Sequence, residues 1–403
     1  MNYIKYIALS GLIALASCKK DNAEYSVLRD QAFIAQTETK AGTVATVSVA
    51  ADNPAGSTQN LNVRLSDVAH TDRNFRLEPF TAEELATYNK ANGTAYVTLD
   101  KSKYSLSTET VTVKAGSSIS DAVQVTILPL SEDEIDSGEM YTLPLKLRST
   151  DGSSVLAGGD EYIYVVKPTI ISSVPVLGTD PSDGSYRKVL AKNINTLTLS
   201  QWTVEFRVNM TGFGRNNQAI FGSWGPSVKD EIYIRFGDAA TPWNTLQAKF
   251  GGTQFDKSNT IFEPNKWYHV ALVYNGTTVA LYVNGQKDLD TDKVAGQVFT
   301  LGDTFHIVGS GGAYFVNGAM LQELRVWNVA RTPAQLKEAE YSVSSQSTGL
   351  LHYWKMNEGS GREFKNAVTG APNAFVYTGS DTEATPRWMD NVRSDGAGRT
   401  KID

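Results

Sequence analysis

Carboxylates, histidines and tryptophans carry whatever chemistry this chain can do, so their spacing comes first. Glu205 and Glu231 each fall on the polar parity of an alternating stretch, where two acids can oppose each other. Pairing across strands with Arg207 or Arg235 is the simpler use, and removal of either glutamate is then expected to change little. The acidic run Ser131–Glu139, broken by Ser137-Gly138, reads as a solvated turn before the strand at Tyr141. The four histidines, His70, His269, His306 and His352, show no metal-ligand spacing, and His269 reads as a packed core residue. Gly309-Ser310-Gly311-Gly312 lacks the strand-to-helix setting of a phosphate loop and reads as a turn.

What remains is the chemistry of sugar recognition. It needs exposed aromatic faces for C–H-rich rings, beside amides and charges for hydroxyls. Trp224 and Trp243 fall in apparent loops on either side of Glu231–Phe236, and Tyr314 and Trp388 are similarly placed. Arg207, Tyr233, Arg235 and Lys249 lie on polar strand faces nearby. Trp202, Trp267, Trp327 and Trp354 lie in strands and read as core.

Strands must position these groups. In 201–210, Trp202, Val204, Phe206, Val208 and Met210 alternate with Thr203, Glu205, Arg207 and Asn209. Glu231–Phe236 and Leu246–Phe250 repeat the pattern, so each predicts a strand with one dry and one wet face. Two apolar runs, Trp267–Tyr274 and Val279–Val283, flank Asn275-Gly276, which predicts a hairpin with positive φ at both turn residues. Earlier strands are expected at Thr43–Val49, Leu61–Leu65, Thr110–Val113, Val123–Leu128, Tyr141–Leu147 and Tyr162–Val166. One helix interrupts them, with Thr81 and Glu84 as a capping box and Gly93 as its stop. A second short helix begins at Thr332-Pro333.

Composition agrees with a turn-rich all-β chain: 403 residues, 33 glycines and 10% aromatics. A net charge of −6 gives no support to nucleic-acid binding. The stretch Tyr6–Ala16 is too short to span a bilayer and reads as the apolar part of a signal peptide. Cys18 is the sole cysteine, so no intramolecular disulfide can form.

Family resemblances sharpen these expectations. Leu15-Ala16-Ser17-Cys18 resembles the lipobox of bacterial lipoproteins, which implies a signal peptide over 1–17 and acylation of Cys18. Lys19-Lys20-Asp21 is similar to export signals of lipoproteins displayed on the outer membrane. Residues 18–27 then form a tether. Residues 28–168 resemble an N-terminal domain of unknown function from glycan-utilisation lipoproteins. The resembling residues are Tyr88-Asn89-Lys90, Gly93–Tyr96, Val113–Gly116 and Tyr141–Leu145, and the segment is expected to be an immunoglobulin-like spacer ending at Lys167-Pro168. Residues 169–403 resemble the concanavalin A-like, laminin-G-like jelly rolls through Asn265–Gln286, Gly318–Arg331 and Leu351–Gly361.

The resemblance bears on cofactors and chemistry. Relatives often bind calcium, but Gln322 and Asn366 stand where they carry acids, which weakens a hard-cation site and leaves calcium open. Glu134–Glu139 is similar to a glycosidase motif of this fold yet lies in the other domain. The expectation is a lipid-anchored surface protein whose second domain holds a glycan weakly and non-catalytically, through Trp224 or Trp243 with Arg207, Tyr233, Arg235 and Lys249. It would act within a polysaccharide-utilisation system, beside a glycan-import complex. A glycoside hydrolase or polysaccharide lyase, or a protein-binding adhesion module, are the alternatives.

Overall fold

A computed structural model describes residues 31–38, 43–193 and 197–394. The expected signal peptide, tether and Cys18 lie outside them. Among the described residues, no helix is long and apolar enough to cross a membrane.

The first unit is a β-sandwich. One sheet runs Val44–Ala50, Glu161–Thr169, Met140–Ser149, Arg73–Pro79, Thr110–Val113; another pairs Ser57–Leu61 with Val123–Ile127 and Tyr104–Leu106. The inward parity of these strands, including Leu77, Val125, Leu143 and Leu145, fills one core. Helix Ala82–Asn92 forms as its sequence dictates: Thr81 and Glu84 cap each other, and Gly93 closes it in the left-handed region. The acidic run is not a turn but a second capped helix, Glu132–Ser137, with Ser131 and Glu134 forming the box. Strand Glu161–Thr169 also runs through Pro168 instead of stopping there, and hydrogen-bonding partners change only between Thr169 and Ile171.

The second unit is a jelly-roll sandwich. Its front sheet runs Thr253–Phe255, Thr241–Phe250, Ile232–Asp238, Gln218–Ser223, Thr304–Ile307, Tyr186–Lys192. Its back sheet runs Ile171–Thr179, Gly318–Trp327, Trp202–Met210, Trp267–Tyr274, Val279–Val283, Gln286–Thr291. Between them lie Trp202, Phe206, Phe221, Ile234, Phe236, Phe250, Leu272 and Trp354, all fully buried. Such packing is worth roughly 25 cal/mol per Å² of apolar surface removed from water.

The Trp267–Tyr274 hairpin forms, but its turn differs from expectation. Tyr274 pairs with Val279, so the loop holds four residues, and the Asn275 side chain accepts bonds from the Thr277 and Thr278 amides. The next Asn-Gly makes the tight turn instead: Asn284 and Gly285 both have positive φ, and Val283 pairs with Gln286.

The central strands of the back sheet, Trp202–Met210, Gly318–Trp327, Trp267–Tyr274 and Val279–Val283, are buried on both faces. Glu205, Arg325 and His269 are fully buried. Glu205 takes the Trp327 indole N–H at 2.8 Å and meets His269 Nε2 at 3.0 Å, with Arg325 at 3.5 Å and Arg331 at 3.6 Å. Arg207, Asn209 and Trp267 lie on the same covered side, beneath the segments that close it. Burial alone would raise the Glu205 carboxyl, yet Arg325, His269 and Arg331 hold it down to about 2. Its stabilising contribution is therefore present above the ordinary value of 4.5 and is lost as pH falls toward 2.

Contrary to the reading that Glu205 is dispensable, Glu205→Gln is expected to destabilise the fold by roughly 3–5 kcal/mol, because it leaves buried arginine charge uncompensated. Urea unfolding of the two proteins at neutral pH measures this. Repeating it from pH 5 to pH 2 should show the difference shrinking as Glu205 protonates.

Candidate functional site

The front sheet keeps its outer face. In Ile232–Asp238 the residues Ile232, Ile234 and Phe236 enter the core, so Tyr233 and Arg235 point outward. Strand register then sets Lys249 beside Tyr233 and Gln247 beside Arg235 on one flank. On the other flank Gly222 opposes both Tyr233 and His306.

Gly222 is what lets Trp224 lie down. A Cβ built there would sit 2.4 Å from the Trp224 ring, so any larger residue would displace the indole. The ring rests between Tyr233, 5.6 Å away, and His306, 5.0 Å away and edge-on. Its N–H donates to Glu231 at 3.2 Å. Pinned on three sides, the indole remains 44% exposed, which makes it a fixed apolar shelf on a polar face.

Beside the shelf, Arg235 is engaged rather than free. Its guanidinium donates to Gln247 at 2.6 Å and Asn217 at 2.8 Å and pairs with Asp238 at 3.0 Å. Asn217 also accepts the Tyr233 hydroxyl at 2.9 Å. Burial pushes the Tyr233 phenol up to about 12 although Arg235 lies beside it, so it stays neutral at ordinary pH. Burial, and then Lys188, lowers His306 below its usual value. Lys188 itself pairs with Asp381 at 2.7 Å. Tyr314, 41% exposed, lies 5.4 Å from the Arg215 guanidinium at the rim.

Of the residues expected to form one site, the structure brings Trp224, Tyr233, Arg235 and Lys249 together. Arg207 does not join them. It lies on the back sheet, 3% exposed, stacked on Trp267 and Tyr341 and bonded to the Ser394 carbonyl. Trp243 is not in a loop but within strand Thr241–Phe250, on the parity of Gln247 and Lys249 and 44% exposed. Six residues at about 3.3 Å each place it roughly 20 Å along that strand from Lys249. Trp388 packs edge-on against Phe364 and donates to the Gly361 carbonyl.

Gly222, Asn217 and His306 were missed. The alternation of Phe305-His306-Ile307 already turned His306 outward, and the two-residue step from Gly222 to Trp224 put a vacancy and an indole on one face. Gln322 donates to Ser172, and Asn366 uses both ends of its amide on backbone and His352. Among the described residues no group of three or more His, Cys, Asp or Glu could hold a metal ion.

Residues 183–337 match the laminin-G model described as the concanavalin A-like lectin/glucanases superfamily. The second unit is a concanavalin A-like domain. Residues 28–154 separately match a model of an N-terminal domain. No curated protein matches the chain. Among solved structures, a "putative carbohydrate binding protein" from Bacteroides ovatus is 24% identical, with 89% of this chain and 97% of that one covered and a TM-score of 0.51. A pentraxin from Limulus polyphemus is 19% identical over 52% of this chain and 95% of its own, with a TM-score of 0.34. EndoBT-3987 of Bacteroides thetaiotaomicron is 20% identical over 34% of this chain and 30% of its own, at 0.27. At these identities the first likeness speaks for the fold.

On the concanavalin A-like domain, Trp224 shields His306 from water. Trp224→Ala should therefore raise the His306 pKa toward, but not fully to, its ordinary value of 6.5, because Lys188 remains. Titration of the imidazole proton signals by NMR, assigned with His306→Gln, checks this; an unmoved or lowered pKa contradicts the described packing.

Proposed function

We propose that this protein holds a glycan, without cleaving it, on the outer face of the front sheet of its concanavalin A-like domain. The observation that carries the reading is the pinned, half-exposed indole of Trp224 on an otherwise polar face. A sugar ring stacks its C–H face on the indole. Lys249 and the Asn217 amide, beside Tyr233, supply hydrogen bonds to hydroxyls. Arg235 acts by holding Asn217 and Gln247 in place. An open polar face exchanges water for sugar nearly evenly, so affinity is weak.

The disposition of acids on this face supports binding over cleavage. Glu231 serves the indole, Asp238 serves Arg235 and Asp381 serves Lys188. Seven residues at about 3.3 Å set Glu231 and Asp238 roughly 23 Å apart along the chain. Paired glycosidase acids lie about 5–10 Å apart.

In the same reading Cys18 is acylated after removal of residues 1–17, which anchors the chain on the outer membrane, facing the exterior. The first sandwich then spaces the binding domain from the lipid, and bound glycan is handed to a utilisation system.

A glycan array probed with the full chain tests the binding. Trp224→Ala should weaken any hit at least about tenfold, or 1.4 kcal/mol, as a hot-spot aromatic does. Trp243→Ala should cost less unless the ligand is long enough to reach it. A hit of unchanged affinity in both variants places the site elsewhere. Separately, Cys18→Ser should move the protein from the membrane to the soluble fraction of cells that express it.

A further inference from the structure

We propose that the ligand of the Trp224 face is an acidic saccharide, one whose carboxylate or sulfate is met by Lys249 and Arg215. The inference rests on the binding reading above and specifies its ligand class.

The argument is one of uncompensated charge. Around the shelf stand four cations, Lys188, Arg215, Arg235 and Lys249, and three carboxylates, Glu231, Asp238 and Asp381. Each carboxylate has its donor: the Trp224 N–H for Glu231, Arg235 with Gln247 for Asp238, and Lys188 for Asp381. At the far edge Asp303 lies next to Thr304, the strand partner of Lys192. Lys249 and Arg215 have no carboxylate within ion-pair distance among the described residues. Lys249 reaches Asp238 only through space, helping Arg235 to lower its pKa.

That local balance is opposite in sign to the chain's. The chain carries a net charge of −6, so carboxylates outnumber cations overall. Around the shelf Arg235 cancels Asp238 and Lys188 cancels Asp381, and Lys249 with Arg215 outnumber Glu231 by one charge.

Position makes the two cations usable. Lys249 flanks Tyr233 on the side of strand Thr241–Phe250. Arg215 lies on the opposite side, two residues before the Asn217 that accepts the Tyr233 hydroxyl, with its guanidinium over Tyr314. Lys249 is thus the cation across Tyr233 from the indole, and Arg215 stands farther along the face, toward its Asn217 end. A carboxylate or sulfate on a saccharide that runs from the indole along this face would be met by charge-assisted bonds, which are stronger than neutral ones.

The test uses the full chain and saccharide pairs that differ only in charge. Polygalacturonate against its methyl ester reads a carboxylate. Chondroitin sulfate against its desulfated form reads a sulfate, since both keep the uronate. An array of neutral saccharides with sialylated, uronate-bearing and sulfated counterparts completes it. The expected result is at least about tenfold tighter binding of an acidic member than of its neutral partner, the size of a hydrogen bond to a charged group. That preference should be lost in Lys249→Ala/Arg215→Ala and fall from 50 to 500 mM salt, with Trp224→Ala weakening both partners. Equal binding of the two partners, still dependent on Trp224, overturns the acidic ligand and leaves the binding reading intact. A wholly silent array overturns both.

Discussion

Glu205 is a carboxylate with no access to water, and the back of the second sandwich is built to keep it charged. An isolated buried acid is so costly that it would take up a proton. Here Arg325 and Arg331 supply charge, and His269 and the Trp327 indole supply hydrogen-bonding contacts. Arg325 is in turn bonded to Glu323, which also accepts the Tyr353 hydroxyl at 2.5 Å. A network of this kind works only if every member stays covered, because partial hydration or loss of one partner leaves a bare charge. The covering segments are helix Pro333–Glu338, the stretch after it, and strand Arg387–Arg393.

Covering the back also joins the two sandwiches. Helix Glu132–Ser137 of the first unit ends on Gly138, in the left-handed region, and a Cβ there would lie 2.0 Å from the backbone amide of Ser344. Ser342 donates to the Ile135 carbonyl, Lys167 pairs with Glu340 and rests on Tyr341, and Arg393 pairs with Asp52. Tyr341 thus lies between Lys167 and Arg207. The acidic hexapeptide that resembles a catalytic motif contributes a capped helix and an interface glycine, with Glu134 on its own cap and on Lys103.

Local signals suffice where they were recognised, and the capping box Ser131/Glu134 with Gly138, read as a turn, shows that the acidic run held the same signal. Helix Ala82–Asn92 depends on bonds within four residues, so Thr81, Glu84 and Gly93 suffice to define it. Strand parity was equally legible: Trp202 and Phe206 face in, Tyr233 and Arg235 face out. What no local pattern contains is the identity of whatever lies on top of an outward residue. Arg207 and Tyr233 share the same alternation, yet one is sealed by Tyr341 and Ser394 while the other borders the open shelf. The turn was misread for a related reason: both Asn-Gly pairs permit a tight turn, and strand register selects Asn284-Gly285.

The polar residues themselves nevertheless differ between the two faces in a way that physics can rank. On the back, Glu205 and Glu323 stand with Arg207, Arg325, Arg331 and His269, several of them flanked by tryptophan. Glu205 and Glu323 there find their partners in Arg325, Arg331, His269 and the Trp327 indole without water. On the front, Tyr233, Gln247, Lys249 and Asn217 offer phenol, amides and a lone ammonium, and Lys249 has no acid across the strand from it. Burying that set would strand an ammonium at a cost of several kcal/mol, so the front face stays wet. Carboxylates held between arginines and an indole, rather than polarity as such, therefore mark the covered face, whereas Lys249 on the open face has no such partner.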